Sequence, residues 1–383
     1  VSVTAPQGFV AAGVSAGLKA SGGLDVALVV NHGPLTSAAA VFTSNRAKAN
    51  PILWSEQVIN DGVATAILLN AGGANCFTGS QGFQTVHATA EAVATELGVS
   101  SGDVLVCSTG LIGEQLDRDK MLAGIVSAAA TLSADGGLAA SRAIMTTDTV
   151  EKVAVGGADG WSIGGMAKGA GMLAPELATM LAVVTTDAEL SSKELETALR
   201  LAVAATFNRL DSDGCTSTND QVTLLASGAS GIRPDLDTFT KELTELCGNL
   251  ARQLMADAEG AGHEITITVS GAATEADAEE VGRSIARSNL FKTAVFGNDP
   301  NWGRVLAAIG TTGAHFDPYH VDVSMNGVRV CHEGQPDAPR ENVDLTPRAL
   351  ALDLNLFAGS ASATVLTNDL THAYVHENSA YSS

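Results

Sequence analysis

Positive charge is scarce in this chain. Twenty-one Lys and Arg stand against 42 Asp and Glu, giving a net charge of −21. Nucleic-acid affinity rests largely on clustered cations, so a phosphate-binding surface is disfavoured. An anionic membrane surface is disfavoured for the same reason, and the acidic excess reads as a solvated coat that keeps the protein in solution. Aromatic residues are only 4% of the chain, too few for a surface that grips bases. Charged residues total 16%, too few for a disordered chain. The five cysteines, Cys76, Cys107, Cys215, Cys247 and Cys331, are widely spaced and contain no Cys-x-x-Cys. That pattern argues against a disulfide framework or a zinc site, and free thiols suit a reducing cytoplasm. No basic, apolar leader opens the sequence, and no apolar run of about 20 residues could span a bilayer.

What is plentiful is small and apolar. Apolar residues make up 45% of the 383 positions, and there are a further 40 glycines. This is enough for one large domain or two ordinary ones, with closely packed backbone layers. Strands are predicted at 25–31, 38–43, 64–70, 179–185, 221–226 and 264–269, from short apolar runs flanked by turn residues. Helical spacing predicts helices at 82–97, 117–132, 191–210, 235–257 and 275–289. The stretch 320–366 returns to short strands. No fixed-period repeat or low-complexity linker is present. The alternation suggests helices layered over β-sheets, an α/β class.

The segment richest in chemistry lies mid-chain, from Lys168 to Asp187. A lysine and a Gly-Ala-Gly turn come first, then a proline, then Ala178-Thr179 and a β-branched apolar run. Taken alone, this also fits a turn leading into a buried strand. It equally suits a chain that cuts itself before Thr179. A threonine exposed in that way carries a hydroxyl nucleophile and, in its own α-amine, a base. A terminal amine has an unperturbed pKa of about 7.7–8.0, so it can accept a proton near neutrality.

Met166-Ala-Lys-Gly-Ala-Gly-Met172 followed by Ala178-Thr-Met-Leu181 resembles the processing site of the arginine-biosynthetic ornithine acetyltransferases, or glutamate N-acetyltransferases. Cys107-Ser-Thr-Gly-Leu-Ile-Gly113 resembles that family's oxyanion segment. Further blocks match in order: Ala143–Asp148, Asp213–Asp220, Asp257–Gly260, Asp299–Arg304 and the C-terminal Tyr374–Ser383. One departure stands out. The family more often shows Asn-Ala-Cys-Thr-Gly where this chain has Asn75-Cys-Phe-Thr-Gly79, which leaves the packing of that loop open.

The resemblance implies a four-layer α/β/β/α fold and a self-cleaved chain, with residues 1–178 as one product and 179–383 as the other. It implies that Thr179 takes the acetyl group from N2-acetylornithine and passes it to glutamate, and that Thr109 and Gly110 hold the oxyanion. It also implies substrate contacts from Thr146, Lys168, Thr179, Glu259, Asn378 and Ser383. A heterotetramer of two copies of each chain, in the cytoplasm, completes the expectation. Neither metal nor cofactor is expected, and acetyl-CoA as a second donor is left open.

Read from the residues alone, several of these positions have plainer alternatives. Ser108-Thr-Gly110 is a loop sequence, although a glycine does let backbone approach a developing negative charge. Lys168 is either a spacer on a turn or a point charge for a substrate carboxylate. Glu259 either caps the long helix or receives an amine. A terminal residue such as Ser383 must be tied down to act, and Tyr374 and Tyr381 are candidate anchors. Gly13-Val-Ser-Ala-Gly17 fits the hydrolase-elbow pattern but is followed by Ser21-Gly-Gly23 and reads as a turn. The eight histidines do not cluster. Asn298–Arg304 reads as a rigid structural turn. The rivals to the transferase are an amidohydrolase or aminopeptidase with an N-terminal nucleophile, which would pass the acyl group to water, and an uncut binding protein.

Overall fold

The computed structural model describes residues 2–174 and 180–380. They form two compact units. The first runs up to Asn208 and includes Cys215–Leu254; the second comprises Arg209–Gly214 and the chain from Met255 onward.

The first unit holds two sheets. Strands β1 (Phe9–Val14), β2 (Val26–Asn31), β4 (Ala66–Ala71) and β5 (Val104–Thr109) form one of them, in the order β1-β2-β4-β5. β3 (Ser37–Phe42), β6 (Lys152–Ala158), β7 (Trp161–Lys168), β8 (Leu181–Thr186) and β9 (Gln221–Ala226) form the other, in the order β3-β9-β8-β7-β6. Pairing is antiparallel except for β4 with β5 and β8 with β9, which run parallel.

Every residue of β2, β4, β5, β8 and β9 is buried. A strand buried along its whole length is covered on both faces. One face of each sheet meets the other sheet: Val29, Ile67 and Cys107, on the face that carries Thr109, share a core with Met166, Leu181, Val183 and Leu225. Helices supply the outer cover. On the first sheet these are α1 (Asn50–Val58), α2 (Gly79–Leu97) and α3 (Arg118–Ala130), with Val86, Val93, Met121 and Ile125 joining the same core. The short α4 (Gly137–Ala143) packs on β1 and β2.

On the second sheet, α5 (Ser192–Ala205) packs on β3 and β9. The long α6 (Leu236–Ala256) lies over β7 at a residue without a side chain: a Cβ on Gly165 would stand 3.0 Å from Leu246 and Leu250. The first unit is therefore the four-layer α/β/β/α sandwich that the resemblance implies.

The second unit is simpler. Its sheet runs β13-β12-β11-β14-β10-β15, built from β10 (Glu264–Ala272), β11 (Asp322–Met325), β12 (Val328–His332), β13 (Gln335–Pro336), β14 (Ala349–Asn355) and β15 (Ala361–Asn368). Helices α7 (Glu275–Ala286), α8 (Asn289–Phe296) and α9 (Trp302–Ile309) supply the core that meets its apolar face, and α10 (His372–Ala380) follows β15. Burial alternates along the strands: Ile265 and Ile267 are inside and Thr266 outside, while Leu350 and Leu352 are inside and Ala351 outside.

Local signals explain most of the element ends. Ser191 and Glu194 form a reciprocal capping box at the start of α5, and Asp117 caps α3. The predicted helix 275–289 ends instead at Ala286, because Ser288 caps a new helix by accepting from the Phe291 N–H. The Asn298–Arg304 block links α8 to α9 and opens α9. Asn298 takes a φ of 54°, Asn301 caps α9, and Arg304 donates to Leu290 O. Ser15 leaves β1 without entering a helix, so no nucleophile elbow forms there.

Candidate active site

Strands β4 and β5 end side by side, with Ala71 opposite Thr109. Beyond them the chain turns tightly. Gly72 and Gly73 both donate to the Thr109 carbonyl at 3.0 Å. Gly110 adopts φ 125°, and a Cβ there would stand 2.6 Å from Gly73 N, so only glycine fits. Thr109 is 2% exposed.

Lys168 closes β7 and is 1% exposed. Its ammonium donates to Thr109 Oγ1 at 3.2 Å. The structure thus joins two of the residues singled out in the sequence, and a buried ammonium against the threonine is not a spacer on a turn. Across the β7–β8 pairing, Lys168 stands opposite Leu181.

Asp148 organises the rest, and the sequence reading gave it no role beyond membership of a matched block. Its carboxylate accepts from Lys152 Nζ at 2.6 Å, Gly169 N at 2.7 Å and Thr146 N at 2.9 Å. Burial pushes this carboxyl up, but the charges of Lys168 and Lys152 outweigh it and hold the pKa at about 2. One carboxylate therefore sets the backbone of Thr146 and of the glycine turn after Lys168, and neutralises much of the buried lysine charge. Only a glycine-rich turn in a family block hinted at this.

Asn219 and Asp220 were also missed. Asn219 Nδ2 donates to Ala74 O at 2.6 Å and Ser108 O at 2.8 Å. Asp220 Oδ1 accepts from Met180 N at 3.0 Å. The departing loop 75–79 resolves in a definite way: Cys76 is buried beside Ile52 and Ala74, and Phe77 points out, 73% exposed.

In the second unit, Asn378 Nδ2 donates to Glu259 Oε2 at 2.9 Å and also to Tyr374 O. Thr371 Oγ1 donates to Gly260 O at 2.6 Å, and a Cβ on Gly260 would stand 2.2 Å from Tyr374 N. Helix α10 is thus tied to the turn that carries Glu259, through polar bonds and close backbone contact. Ala178, Thr179, Tyr381 and Ser383 lie outside the described residues. No disulfide joins the five cysteines, all of which lie among the described residues. Among the described residues, no group of three or more His, Cys, Asp or Glu could hold a metal ion, and no helix is long and apolar enough to cross a membrane.

A buried lysine held on a threonine-glycine turn, in an α/β/β/α unit, is a fixed polar site of the kind α/β enzymes use. The ArgJ family pattern matches residues 10–383, and the chain belongs to the ArgJ family. The chain is 58% identical over the whole length of both proteins to the arginine biosynthesis bifunctional protein ArgJ of Streptomyces coelicolor, and likewise to that of Thermobifida fusca. A solved ornithine acetyltransferase from Mycobacterium tuberculosis, complexed with ornithine, is 54% identical. The match covers 45% of this chain and 94% of that one, with a TM-score of 0.45. This protein is an acetyltransferase of arginine biosynthesis.

Proposed function

We propose that the chain cuts itself before Thr179 and then moves an acetyl group from N2-acetylornithine to glutamate. The Thr179 hydroxyl attacks the acetyl carbonyl, and its freed α-amine takes the hydroxyl proton. Thr109 and the Gly110 N–H donate to the oxyanion of the tetrahedral adduct. As the adduct collapses, the C–N bond breaks, the proton goes to the departing nitrogen and ornithine leaves. The glutamate amine then attacks the acetyl-threonine ester by the same route in reverse, giving N-acetylglutamate and free Thr179.

Lys168 supplies a positive charge for a substrate carboxylate, and Thr146, on the same Asp148 hub, a polar contact. Glu259 receives an amine, with Asn378 orienting its carboxylate, and Ser383 closes the substrate contacts. The products, 1–178 and 179–383, assemble as two copies of each and work in the cytoplasm. The observation that carries this reading is the bond between buried Lys168 and Thr109 at the end of β5. It sets a fixed cation against the segment assigned to the oxyanion.

The test combines two measurements. N-terminal sequencing of purified protein is expected to show a second chain beginning Thr-Met-Leu-Ala, and an assay with N2-acetylornithine and glutamate is expected to yield N-acetylglutamate. A single band at 38.8 kDa without transfer would overturn the proposal, and release of free acetate in place of transfer would favour the hydrolase. Repeating the assay with acetyl-CoA as donor decides between one activity and two.

A further inference from the structure

We infer that Asn219 and Asp220 are the positioning pair of this active site: one side chain holds the proposed oxyanion segment, and the next holds the Met180 N–H, the amide that follows the proposed nucleophile. This rests on the reading of Thr179 as the nucleophile. The amide nitrogen of Met180 is covalently the one that closes the Thr179 carbonyl. It donates to Asp220 Oδ1 at 3.0 Å, in a setting where Asp220 is fully buried. The parallel register of β8 with β9, Leu181 opposite Gln221, places residue 220 beside residue 180.

One position earlier, Asn219 Nδ2 donates to Ser108 O, the carbonyl joined to the Thr109 nitrogen, and to Ala74 O. Both partners are carbonyl acceptors, which fixes the amide nitrogen toward them. The other end of the Asn219 amide accepts from Thr218 Oγ1 at 2.7 Å. The segment that carries the pair is itself braced. Thr43 Oγ1 donates to Ser217 O, Asn45 Nδ2 to Thr216 O, Ala49 N to Thr218 O and Thr43 N to Asp220 O. Two consecutive side chains on a rigid strand entry thus tie Met180, which follows the proposed nucleophile, and Ser108, which precedes the proposed oxyanion donors, to one segment. Sub-ångström placement of this kind is worth about 10²-fold in rate.

Burial pushes the Asp220 carboxyl well above the ordinary range, with the Met180 N–H and the Lys168 charge only partly offsetting it. An asparagine keeps an acceptor oxygen for the Met180 N–H, and an alanine does not.

The experiment uses the full-length chain with Asp220→Ala, Asp220→Asn and Asn219→Ala. Self-cleavage rate is read on denaturing gels, kcat and KM by acetyl transfer, and folding by thermal melt. Asp220→Ala is expected to slow cleavage and lower kcat about 10²-fold with KM within about threefold. Asp220→Asn is expected to stay within about threefold of wild type in all three. Should Asp220→Ala not fold, Asn219→Ala carries the test, with kcat lost and KM kept. An Ala variant with wild-type cleavage and turnover would overturn the inference. So would a folded Asp220→Asn enzyme with kcat down 10²-fold, since its acceptor is intact. A wild-type protein that neither cuts nor transfers would overturn the reading of Thr179 and this inference with it, which separates the two failures.

Discussion

The two units solve the same problem, covering a sheet, in different ways. In the first, the central strands are buried on both faces, between a second sheet and a layer of helices. In the second, the long strands β10 and β14 keep one face on a helical layer and turn the other outward. The difference shows where fixed buried charge can be held. The doubly covered unit contains Asp148 with Lys152 and Lys168, all almost inaccessible. Such a cluster persists only because each member is paired, and it is stiff for the same reason. The second unit places Glu259 and Asn378 on a turn and a terminal helix, partly open to solvent. Under the proposed function those side chains recognise a charged substrate, and the first unit's supply a preorganised field.

The largest effect is expected at the first unit's charge cluster. Asp148→Asn removes the carboxylate that accepts from buried Lys152 and lies in the field of Lys168, and should cost about 3–5 kcal/mol in a denaturant melt. It should also release the turn after Lys168, so processing should fail. A variant that melts like wild type and matures normally would mean the cluster is not the unit's stiffener.

Next comes a contrast in kinetics. Thr109→Ala, in processed enzyme, should lower kcat by about 10²–10³ with little change in KM, the usual loss for one oxyanion donor. Glu259→Gln should instead raise KM for N2-acetylornithine about tenfold, as expected for a lost charge-assisted bond. Steady-state assays of both variants would erase the proposed division of labour if the two patterns were exchanged.

Core substitutions sharpen the architectural half. Ile67→Ala and Leu68→Ala, neighbours pointing to opposite faces of β4, should each cost about 2–5 kcal/mol. In β14 only one neighbour should matter: Leu352→Ala in that same range, Ala351→Ser within about 0.5 kcal/mol. Equal costs at 351 and 352 would contradict one-sided burial.

The smallest and most specific contrast is in pH. Asp148 has a folded pKa of about 2 against 3.8 when unfolded. Its contribution of about 2 kcal/mol is present above about pH 4 and is lost as pH falls toward 2. Lys292 in the second unit is pushed down by burial to about 8, from 10.5, despite the nearby charges of Asp213, Asp211 and Asp369. A lysine with a depressed pKa binds its proton less tightly when folded. Stability should therefore rise between about pH 8 and 10.5, by up to about 3 kcal/mol. Lys292→Met should flatten that basic limb and leave the acidic one unchanged. Melts across both limbs test the assignments independently.

The same contrast explains how much the sequence disclosed. Alternation in Glu264–Val269 gave a strand and its inward face together, because a one-sided sheet writes its geometry into a two-residue period. The runs at 25–31, 64–70 and 221–226 gave strands but no faces, since residues buried on both sides carry no such period. That is why four layers came only from resemblance. Helix ends were legible where a cap was present, as at Ser191 and Asp117. The break at Ser288 was overlooked because apolar spacing runs across it.

For the site, the sequence by itself supplied the proposed reacting types: a threonine after a lysine-glycine turn, and a threonine-glycine pair apt for close approach to negative charge. It also fixed what is missing, namely cation clusters, paired cysteines and long apolar runs. Only the tertiary structure decided that Lys168 lies on Thr109, that Asp148 gathers Thr146, Lys152 and Gly169, and that Asn219 and Asp220 reach the two segments they hold. Those contacts join residues up to 145 positions apart. Side-chain identity is local information. Which buried charge meets which partner depends on strand register and layer order, and these exist only once the chain has folded.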